Sequence, residues 1–317
     1  MLNKKIFCNR FFRWLAIAIG ITVACMSGQH NANAATLAGD KPAAVEIFEG
    51  ISFEKRGNGN LLVFIPGLNS GKETFTETCA ALAAQYQCLL VQLPGFAGLT
   101  PRKDKSTFLQ PSRDSLINYL RKSNNTDITL IGHSLGGTLS LMIALQAPEL
   151  IDRLVIVDAL PFYPAVQNPA LTVAQARPQA EQLRQAMNNQ SAADYEKNSA
   201  LYLQGMSNQP DNFSRLLEWS KTSDRMTTTQ AMYELMTTDL RNEIAAIQQP
   251  TLVLGAWAAY KPFGATKDST GAIYQTQYAK LKGVDIRLSD SSFHFITWDD
   301  HDWVIRQLQQ FIPSPAQ

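Results

Sequence analysis

The sequence predicts an α/β protein with a mainly parallel central sheet flanked by helices. Short apolar runs alternate with helix-like segments along the chain, as they do in βαβ units. The runs are continuously apolar, which suits parallel strands buried on both faces. A long stretch without such a run, Ala159–Gln249, predicts an α-helical cap inserted between the sixth and seventh strands.

The elements outside the insertion follow in a regular order. The clearest predicted strands are Leu61–Ile65, Cys88–Leu93, Ile128–Ile131, Leu154–Val157 and Thr251–Gly255. A weaker early strand, Val45–Phe53, and a last strand, Val284–Leu288, extend the sheet. Helical spacing predicts helices over Thr74–Tyr86, Pro111–Lys122, Gly137–Ala147, Ile273–Leu281 and His301–Phe311. We therefore assign 35–158 and 250–317 to the core and 159–249 to a helical cap.

The insertion is rich in Gln, Ala, Asn and Met. Its helical stretches are Thr172–Asn188, Ser191–Gln204, Asn212–Thr222 and Thr228–Glu234. It also holds five of the six methionines that follow residue 34, namely Met187, Met206, Met226, Met232 and Met236. Methionine is flexible and fills irregular apolar space, so these residues either line an adaptable pocket under a lid or fill a helical core.

The N-terminal segment, 1–34, has the pattern of a signal peptide. Basic residues precede the uncharged apolar stretch Trp14–Met26, and Ala32-Asn33-Ala34 fits a cleavage site. A signal anchor and a lipoprotein modified at Cys25 are the alternatives. The apolar stretch is short for a membrane span, which needs about 20 residues. We therefore predict export to the periplasm, with the mature chain starting near Ala35 and no stable membrane partner.

Charge and cysteine usage limit the partners further. The formal net charge is +1, which gives no electrostatic case for nucleic acid or an anionic membrane. Cys79 and Cys88 follow the predicted signal. An oxidising compartment permits a disulfide between them, and two separate buried thiols are the alternative. Their spacing fits no metal motif. We expect a small-molecule substrate and no metal; the oligomeric state is not predicted.

The stretch Gly132-His133-Ser134-Leu135-Gly136 carries the strongest functional signal. It follows an apolar strand and precedes a helix, so Ser134 lies at the apex of a sharp strand-to-helix turn. Glycines two positions away on either side remove the clashes that bulky side chains would make in such a turn. The pattern predicts a nucleophilic serine at the C-terminal edge of the sheet.

A serine hydroxyl needs a base within hydrogen-bond reach, and a neutral imidazole is the suitable one. The chain has four histidines. His30 lies in the predicted signal, His133 is the neighbour of Ser134 and is expected to point away from it, and His301 lies in a charged run. His294 follows the last predicted strand and remains as the candidate base.

These motifs and their order resemble the α/β-hydrolase fold superfamily. The resemblance runs from Leu61–Gly67 through Leu93–Gly98 and the Ser134 turn to His294-Phe295-Ile296. It implies that the strand ending at Val157 counts as the sixth, and that the chemistry is hydrolytic, through Ser, an acid and His.

The resemblance also implies the remaining site residues. The family most often places its acid after the seventh strand, but no carboxylate directly follows Gly255 here. Some members take the acid from the end of the sixth strand, where this chain has Asp158, while Asp268 is the alternative. The N–H groups of Leu68 and Leu135 occupy the positions of the oxyanion hole.

The sequence therefore predicts a serine hydrolase that cleaves an ester-type bond without a metal or organic cofactor. Amide or peptide cleavage, as in proline iminopeptidase relatives, and perhydrolysis use the same triad. A non-catalytic ligand-binding protein is an alternative from a different class, because the fold alone does not determine function.

Overall fold

The computed structural model describes residues 45–123 and 125–313. The predicted signal peptide lies outside these residues. One eight-stranded sheet runs through the described part in the order β1-β2-β4-β3-β5-β6-β7-β8. Its strands are β1 (Val45–Phe48), β2 (Ile51–Arg56), β3 (Leu61–Ile65), β4 (Gln87–Gln92), β5 (Thr129–His133), β6 (Arg153–Val157), β7 (Thr251–Gly255) and β8 (Asp285–Leu288).

The pairing directions confirm the predicted mainly parallel sheet. From β4 through β3 to β8, every neighbouring pair is parallel. The carboxyl ends of these strands therefore lie at one edge of the sheet. Only β1 with β2 and β2 with β4 pair antiparallel.

The prediction of a single early strand over Val45–Phe53 is wrong. The chain makes a β-hairpin there, because Glu49 and Gly50 both have positive φ angles of 47° and 81°. Such a pair of residues makes a two-residue turn whose twist matches the strands on either side. The alternation of this short segment could not reveal the turn inside it.

Helices cover both faces of the sheet and complete two apolar cores. The helices outside the insertion are α1 (Thr76–Leu82), α2 (Leu109–Ser123), α3 (Leu135–Gln146), α8 (Lys267–Gln277), α9 (Ile296–Asp299) and α10 (His301–Phe311). One face packs against α2, α3 and α8. The other packs against α1 and α10. None of the described helices is long and apolar enough to cross a bilayer.

One of these helices begins earlier than predicted. The sequence spacing predicts Ile273–Leu281, whereas α8 starts at Lys267. The side chains and backbone N–H groups of Thr266 and Ser269 bond each other reciprocally at 3.0 and 2.9 Å. This capping arrangement satisfies N–H groups that the first helical turn leaves open, so the helix begins there.

Four helices lie in the chain between β6 and β7. They are α4 (Val173–Asn189), α5 (Ala192–Leu203), α6 (Asn212–Thr222) and α7 (Arg225–Thr237). α4 packs against α7, and α5 packs against α6. The methionines of this segment do not share one environment: Met236 is buried, Met226 is exposed and Met206 packs against an aromatic cluster.

Cys79 and Cys88 are held as thiols in this structure and not as a disulfide. Both are buried, on α1 and at the start of β4. The Cys88 thiol donates to the Cys79 carbonyl oxygen at 3.6 Å. A hydrogen bond with Cys79 and burial raise the pKa of the Cys88 thiol, so it stays protonated at neutral pH. Of the two alternatives predicted from the sequence, the structure therefore shows two buried thiols and not a disulfide.

Candidate active site

The turn between β5 and α3 holds Ser134 in a conformation that few side chains adopt. Its φ and ψ angles are 53° and −119°. The Ser134 N–H donates to the Val157 carbonyl at 2.9 Å, which ties the turn to the end of β6. A Cβ atom on Gly132 would overlap the carbonyl of Gly136, and one on Gly136 would overlap the carbonyl of Ile65. The two glycines therefore allow the turn and leave Ser134 half-buried at the carboxyl edge of the sheet.

The structure brings His294 and Asp158 into direct contact. Nδ1 of His294 lies 2.6 Å from Oδ2 of Asp158. The other carboxylate oxygen accepts hydrogen bonds from the Ala256 N–H at 2.9 Å and the Tyr274 hydroxyl at 2.5 Å. Burial and the neighbouring Asp158 carboxylate raise the pKa of Tyr274, so its hydroxyl stays protonated as a donor. The carboxylate is held on both oxygens and orients the imidazole with Nδ1 as the donor.

The alternative acid, Asp268, lies elsewhere. It is an exposed residue in the first turn of α8 and makes no hydrogen bond to His294 in the described chain. His301 also lies apart from the turn, 3.7 Å from Asp302 at the start of α10. Of the acids weighed from the sequence, the structure places Asp158 against His294.

His294 lies beside the turn that carries Ser134, but the Ser134 hydroxyl is not hydrogen-bonded to His294 within the described residues. The rings of His133 and His294 have centroids 4.5 Å apart, which places His294 beside the turn. Catalytic hydrogen bonds are often long without substrate and shorten in the complex. The arrangement therefore supplies a serine, an oriented imidazole and a buried carboxylate at one edge of the sheet.

The two N–H groups assigned to the oxyanion hole belong to segments that pack together. Leu135 is the first residue of α3, where N–H groups lack helical acceptors. Leu68 follows the Pro66-Gly67 turn after β3. Gly136 packs on the end of β3, which brings these segments side by side. Within the described residues, neither the Leu68 N–H nor the Leu135 N–H donates to a backbone carbonyl of the surrounding turns and helix caps. Both groups stay candidates for the oxyanion hole.

Comparison with known proteins agrees with the observed fold. The family model for the alpha/beta hydrolase fold matches residues 60–306, most of the chain. The chain belongs to the α/β-hydrolase fold family. A Pseudomonas aeruginosa PA01 hydrolase of known structure superposes with a TM-score of 0.70 at 17% identity, over 87% of this chain and 100% of that one, which shows the shared fold.

Two curated relatives of this α/β hydrolase match over part of its length. A Haemophilus influenzae protein provisionally named an esterase/lipase is 25% identical over 181 residues, covering 52% of this chain and 62% of that protein. An sn-1-specific diacylglycerol lipase of Xenopus laevis is 35% identical over 104 residues, covering 32% and 33% respectively. The chain thus spans less than two thirds of each relative, and together these proteins support a hydrolase.

His133 has a structural part in this candidate site that sequence reasoning missed. Its ring is 1% exposed, and its Nε2 lies 3.0 Å from the backbone carbonyl oxygen of His294. Since a carbonyl only accepts, Nε2 carries the proton and donates. The ring also packs against Phe295 at 4.8 Å between centroids. The turn directs the His133 ring under the loop that carries His294.

This contact predicts a pH dependence of stability. Burial, with a smaller contribution from the nearby His294, lowers the pKa of His133 well below 6.5, so the folded ring stays neutral. The unfolded chain takes up a proton here as the pH falls below about 6.5. Folded protein then binds fewer protons, and its stability falls by up to about 1.4 kcal/mol per pH unit.

Urea unfolding at about pH 7.5 and about pH 5.5 measures this effect. We expect the free energy of unfolding to fall between the higher and the lower pH by about 1 kcal/mol less in His133→Asn than in the wild type. The asparagine keeps an N–H donor. His301→Asn, at a half-buried surface position, is the control and should keep the wild-type dependence. An unchanged pH dependence in His133→Asn would contradict a neutral buried ring.

A second missed residue, Gln92 at the end of β4, holds the loop that carries Leu68. Its buried amide donates to the carbonyls of Ser70 and Phe96 at 3.2 and 3.0 Å. Its amide oxygen accepts from the Lys72 N–H at 2.8 Å. Three backbone groups are thus satisfied by one side chain, which fixes the loop beside the Ser134 turn, Gly132–Gly136, which we call the elbow.

The helical insertion contacts the site from two sides. On the side of the Leu68 loop, the Thr228 hydroxyl donates to the Asn69 side-chain oxygen at 2.5 Å. On the side of the His294 loop, the Phe295 N–H donates to the Met206 carbonyl at 2.9 Å. Leu216 and Trp219 of α6 also join Phe295 and Trp298 in one apolar cluster. These contacts place α6 and α7 next to the loops that carry the candidate site residues.

Proposed function

We propose that this chain is a serine hydrolase that cleaves an ester bond through Ser134, His294 and Asp158. The observation that carries the proposal is the 2.6 Å contact between His294 and an Asp158 carboxylate that two further donors hold. It lies beside a serine in a strained strand-to-helix turn. The relatives named as an esterase/lipase and a diacylglycerol lipase support an ester as the bond.

The mechanism follows from the donors and acceptors of the site. Ser134 Oγ attacks the ester carbonyl carbon while Nε2 of His294 accepts its proton. The Leu68 and Leu135 N–H groups bind the negative oxygen of the tetrahedral intermediate. His294 then gives the proton to the leaving alcohol, and an acyl-enzyme forms on Ser134. Water, deprotonated by His294, attacks this acyl group; the bond from the acyl carbon to Ser134 Oγ then breaks, His294 returns the proton to Ser134 and the acid is released. Asp158 keeps the imidazole in the required tautomer and stabilises the imidazolium.

We further propose that residues 159–249 form a cap over this site and that the chain acts after export through residues 1–34. The contacts of α6 and α7 with the Asn69 and Phe295 loops support the cap. The signal-like N-terminus supports export. Loss of periplasmic activity when residues 1–34 are deleted, with the protein retained inside the cell, would test the second point.

A fluorophosphonate probe tests the nucleophile. The wild-type protein should be labelled covalently at Ser134 and should hydrolyse short 4-nitrophenyl esters. Ser134→Ala should lose the label and reduce kcat by about 10⁴-fold or more, because the other groups cannot replace the nucleophile. Ser214→Ala, at an exposed serine of α6, is the matched control and should behave as wild type.

Three outcomes would contradict the proposal or redirect it. If the wild-type protein is folded but not labelled, the assignment of Ser134 as the nucleophile is wrong. A label retained in Ser134→Ala would place it on another residue. Labelling at Ser134 with turnover of amides or peptides and none of esters would keep the triad and replace the proposed bond.

A further inference from the structure

We propose that Asp299 is a positioning residue for the candidate base, because its carboxylate fastens the loop that carries His294 to the helical insertion. We call Ser291–Asp299 the base loop, and the hydrogen bonds that the Asp299 carboxylate accepts from the base loop and the insertion the Asp299 clamp. The inference rests on the proposed function, since the position of His294 matters to a rate only if His294 acts as a base. It adds a residue outside the triad on which the rate depends.

Asp299 is bonded to the residues on both sides of His294. Its Oδ2 accepts a hydrogen bond from the Phe293 N–H at 2.7 Å. The short helix α9 turns the chain back, so that the Asp299 N–H donates to the Phe295 carbonyl at 3.0 Å. These two bonds fix the fold of the base loop around the histidine.

The same carboxylate holds the insertion just before α6. The Ser207 hydroxyl donates to Oδ1 of Asp299 at 2.5 Å. The Asn208 N–H lies 3.2 and 3.1 Å from Oδ1 and Oδ2. The Ser207 oxygen in turn accepts from the Asn212 side chain at 3.0 Å, at the start of α6. One side chain thus joins the insertion to the loop that carries the candidate base.

The insertion also holds the peptide directly after His294. The Phe295 N–H donates to the Met206 carbonyl at 2.9 Å, and Met206 directly precedes the residues that Asp299 bonds. The carbonyl of His294 itself lies 3.0 Å from Nε2 of His133. The backbone is therefore fixed before, at and after the candidate base.

Two side chains of the insertion extend these contacts to the ends of the base loop. The Asn208 amide donates to the Ser291 carbonyl at 2.9 Å. The Gln209 amide donates to the Trp298 carbonyl, also at 2.9 Å. Both donors belong to neutral side chains, and the carboxylate of Asp299 is the charged acceptor between them. Because hydrogen bonds to an ionised acceptor are the stronger ones, Asp299 is expected to dominate this contact.

A small displacement of the base loop would lower the rate. Nε2 of His294 must reach Ser134 while Nδ1 keeps its 2.6 Å contact with Asp158. These two requirements fix the direction and the place of the imidazole, and a displacement of about 1 Å can cost about 100-fold in rate. Without an acceptor at position 299, three donors lose their partner, and the two segments are expected to shift to satisfy them.

Two substitutions separate the position of the clamp from the charge of its carboxylate. Asp299→Asn keeps the length and one acceptor oxygen, and its NH₂ group can donate to the Ser207 hydroxyl oxygen. It therefore keeps the clamp without the charge. Asp299→Glu keeps the charge and adds one methylene. The Phe293 and Ser207 donors lie only 2.7 and 2.5 Å from the carboxylate, so the longer side chain must move the two segments.

Steady-state kinetics on a 4-nitrophenyl ester tests the clamp. We expect kcat within about 3-fold of the wild type for Asp299→Asn, a fall of about 10-fold for Asp299→Glu, and a fall of about 10- to 100-fold for Asp299→Ala. The kcat values are counted per active site, titrated to completion with the fluorophosphonate probe, so that unfolded protein does not contribute. KM should change less than kcat, because the base and not the substrate is displaced.

Asp302→Ala is the matched control. Asp302 belongs to the same acidic run, but its side chain is 91% exposed, so its variant should keep wild-type kcat. An Asp299→Glu variant that is as active as Asp299→Asn, or more active, would overturn the inference, because charge and not position would then matter. If Asp299→Ala does not fold, this comparison of the two conservative variants decides alone.

The Nδ1 proton of His294 gives a readout that needs no turnover. Its short bond to the Asp158 carboxylate should give this proton a downfield NMR resonance in protein labelled with ¹⁵N-histidine, assigned by its loss in Asp158→Ala. We expect Asp299→Glu and Asp299→Ala to shift or broaden the resonance, and Asp299→Asn and Asp302→Ala to keep it.

The two measurements separate this inference from the proposed function. If the wild type cleaves no ester but the resonance depends on Asp299 in the expected order, the proposed function fails and the Asp299 clamp stands. If esters are cleaved and neither kcat nor the resonance depends on Asp299, the clamp fails and the proposed function stands.

Discussion

Replacing Asp158 by asparagine should reduce kcat for ester hydrolysis by about 10³- to 10⁴-fold. The carboxylate receives the Nδ1–H of His294, the Tyr274 hydroxyl and the Ala256 N–H. An asparagine presents one acceptor oxygen and one NH₂ group, so it cannot accept from donors on both sides. Either the Tyr274 and Ala256 contacts are lost, or the NH₂ group faces His294. In the second case the imidazole is held in the tautomer that has its proton on Nε2 and cannot accept one from Ser134.

Asp268→Asn is the matched control for this prediction. Asp268 is exposed on α8 and does not contact His294, so its variant should keep wild-type kcat. Steady-state kinetics on one 4-nitrophenyl ester, with circular dichroism spectra of each variant, makes the comparison. A severe loss in Asp268→Asn together with near wild-type activity in Asp158→Asn would assign the acid to Asp268.

Gly136→Ala should reduce the free energy of unfolding by about 3 kcal/mol or more. A Cβ at this position would overlap the carbonyl oxygen of Ile65, and it would also meet the carbonyl oxygen of Pro66 at 2.7 Å. Both obstacles are backbone atoms, one in the central strand β3 and one directly after it. Relief would require α3 to move away from the sheet, which would also separate Leu135 from the Leu68 loop.

Gly271→Ala is the matched control for the elbow glycine. Gly271 lies inside α8, and a Cβ there would meet no atom within 4 Å. Because alanine loses less conformational freedom than glycine in a helix, this variant should gain about 0.5–1 kcal/mol. Urea unfolding monitored by tryptophan fluorescence measures both changes. Equal midpoints for Gly136→Ala and the wild type would show that α3 can move without cost, and would contradict the close packing at the elbow.

Much of the fold could be predicted because its signals are local. Continuous apolar runs such as Leu61–Ile65 and Thr251–Gly255 are strands in the structure with the same bounds. The helix over His301–Phe311 also has the predicted bounds. The hairpin at Glu49-Gly50 and the capped start of α8 could not be predicted in this way. They depend on backbone angles and reciprocal hydrogen bonds that apolar periodicity does not report.

In the candidate site, too, the residues with a local sequence signal could be predicted and the others could not. Ser134 is marked by glycines within two positions of it, and His294 remained after elimination among a small number of histidines. The contributions of His133, Gln92 and Tyr274 had no such signal. Each depends on a contact with a residue far away in the chain, such as the bond from His133 to the His294 carbonyl. The catalytic roles of Ser134, His294 and Asp158 stay predictions until the kinetic tests are made.

The sequence by itself determined the order of strands and helices, the elbow serine and the shortage of candidate bases. These properties follow from local sequence patterns, because apolar periodicity, glycine placement and residue counts can be read without knowledge of distant contacts. Only the tertiary structure decided that Asp158 and not Asp268 lies against His294, and that His133 supports the His294 loop. The physical reason is that parallel strands bring the loops after β6, β7 and β8 to one edge, and the distances between those loops follow from packing.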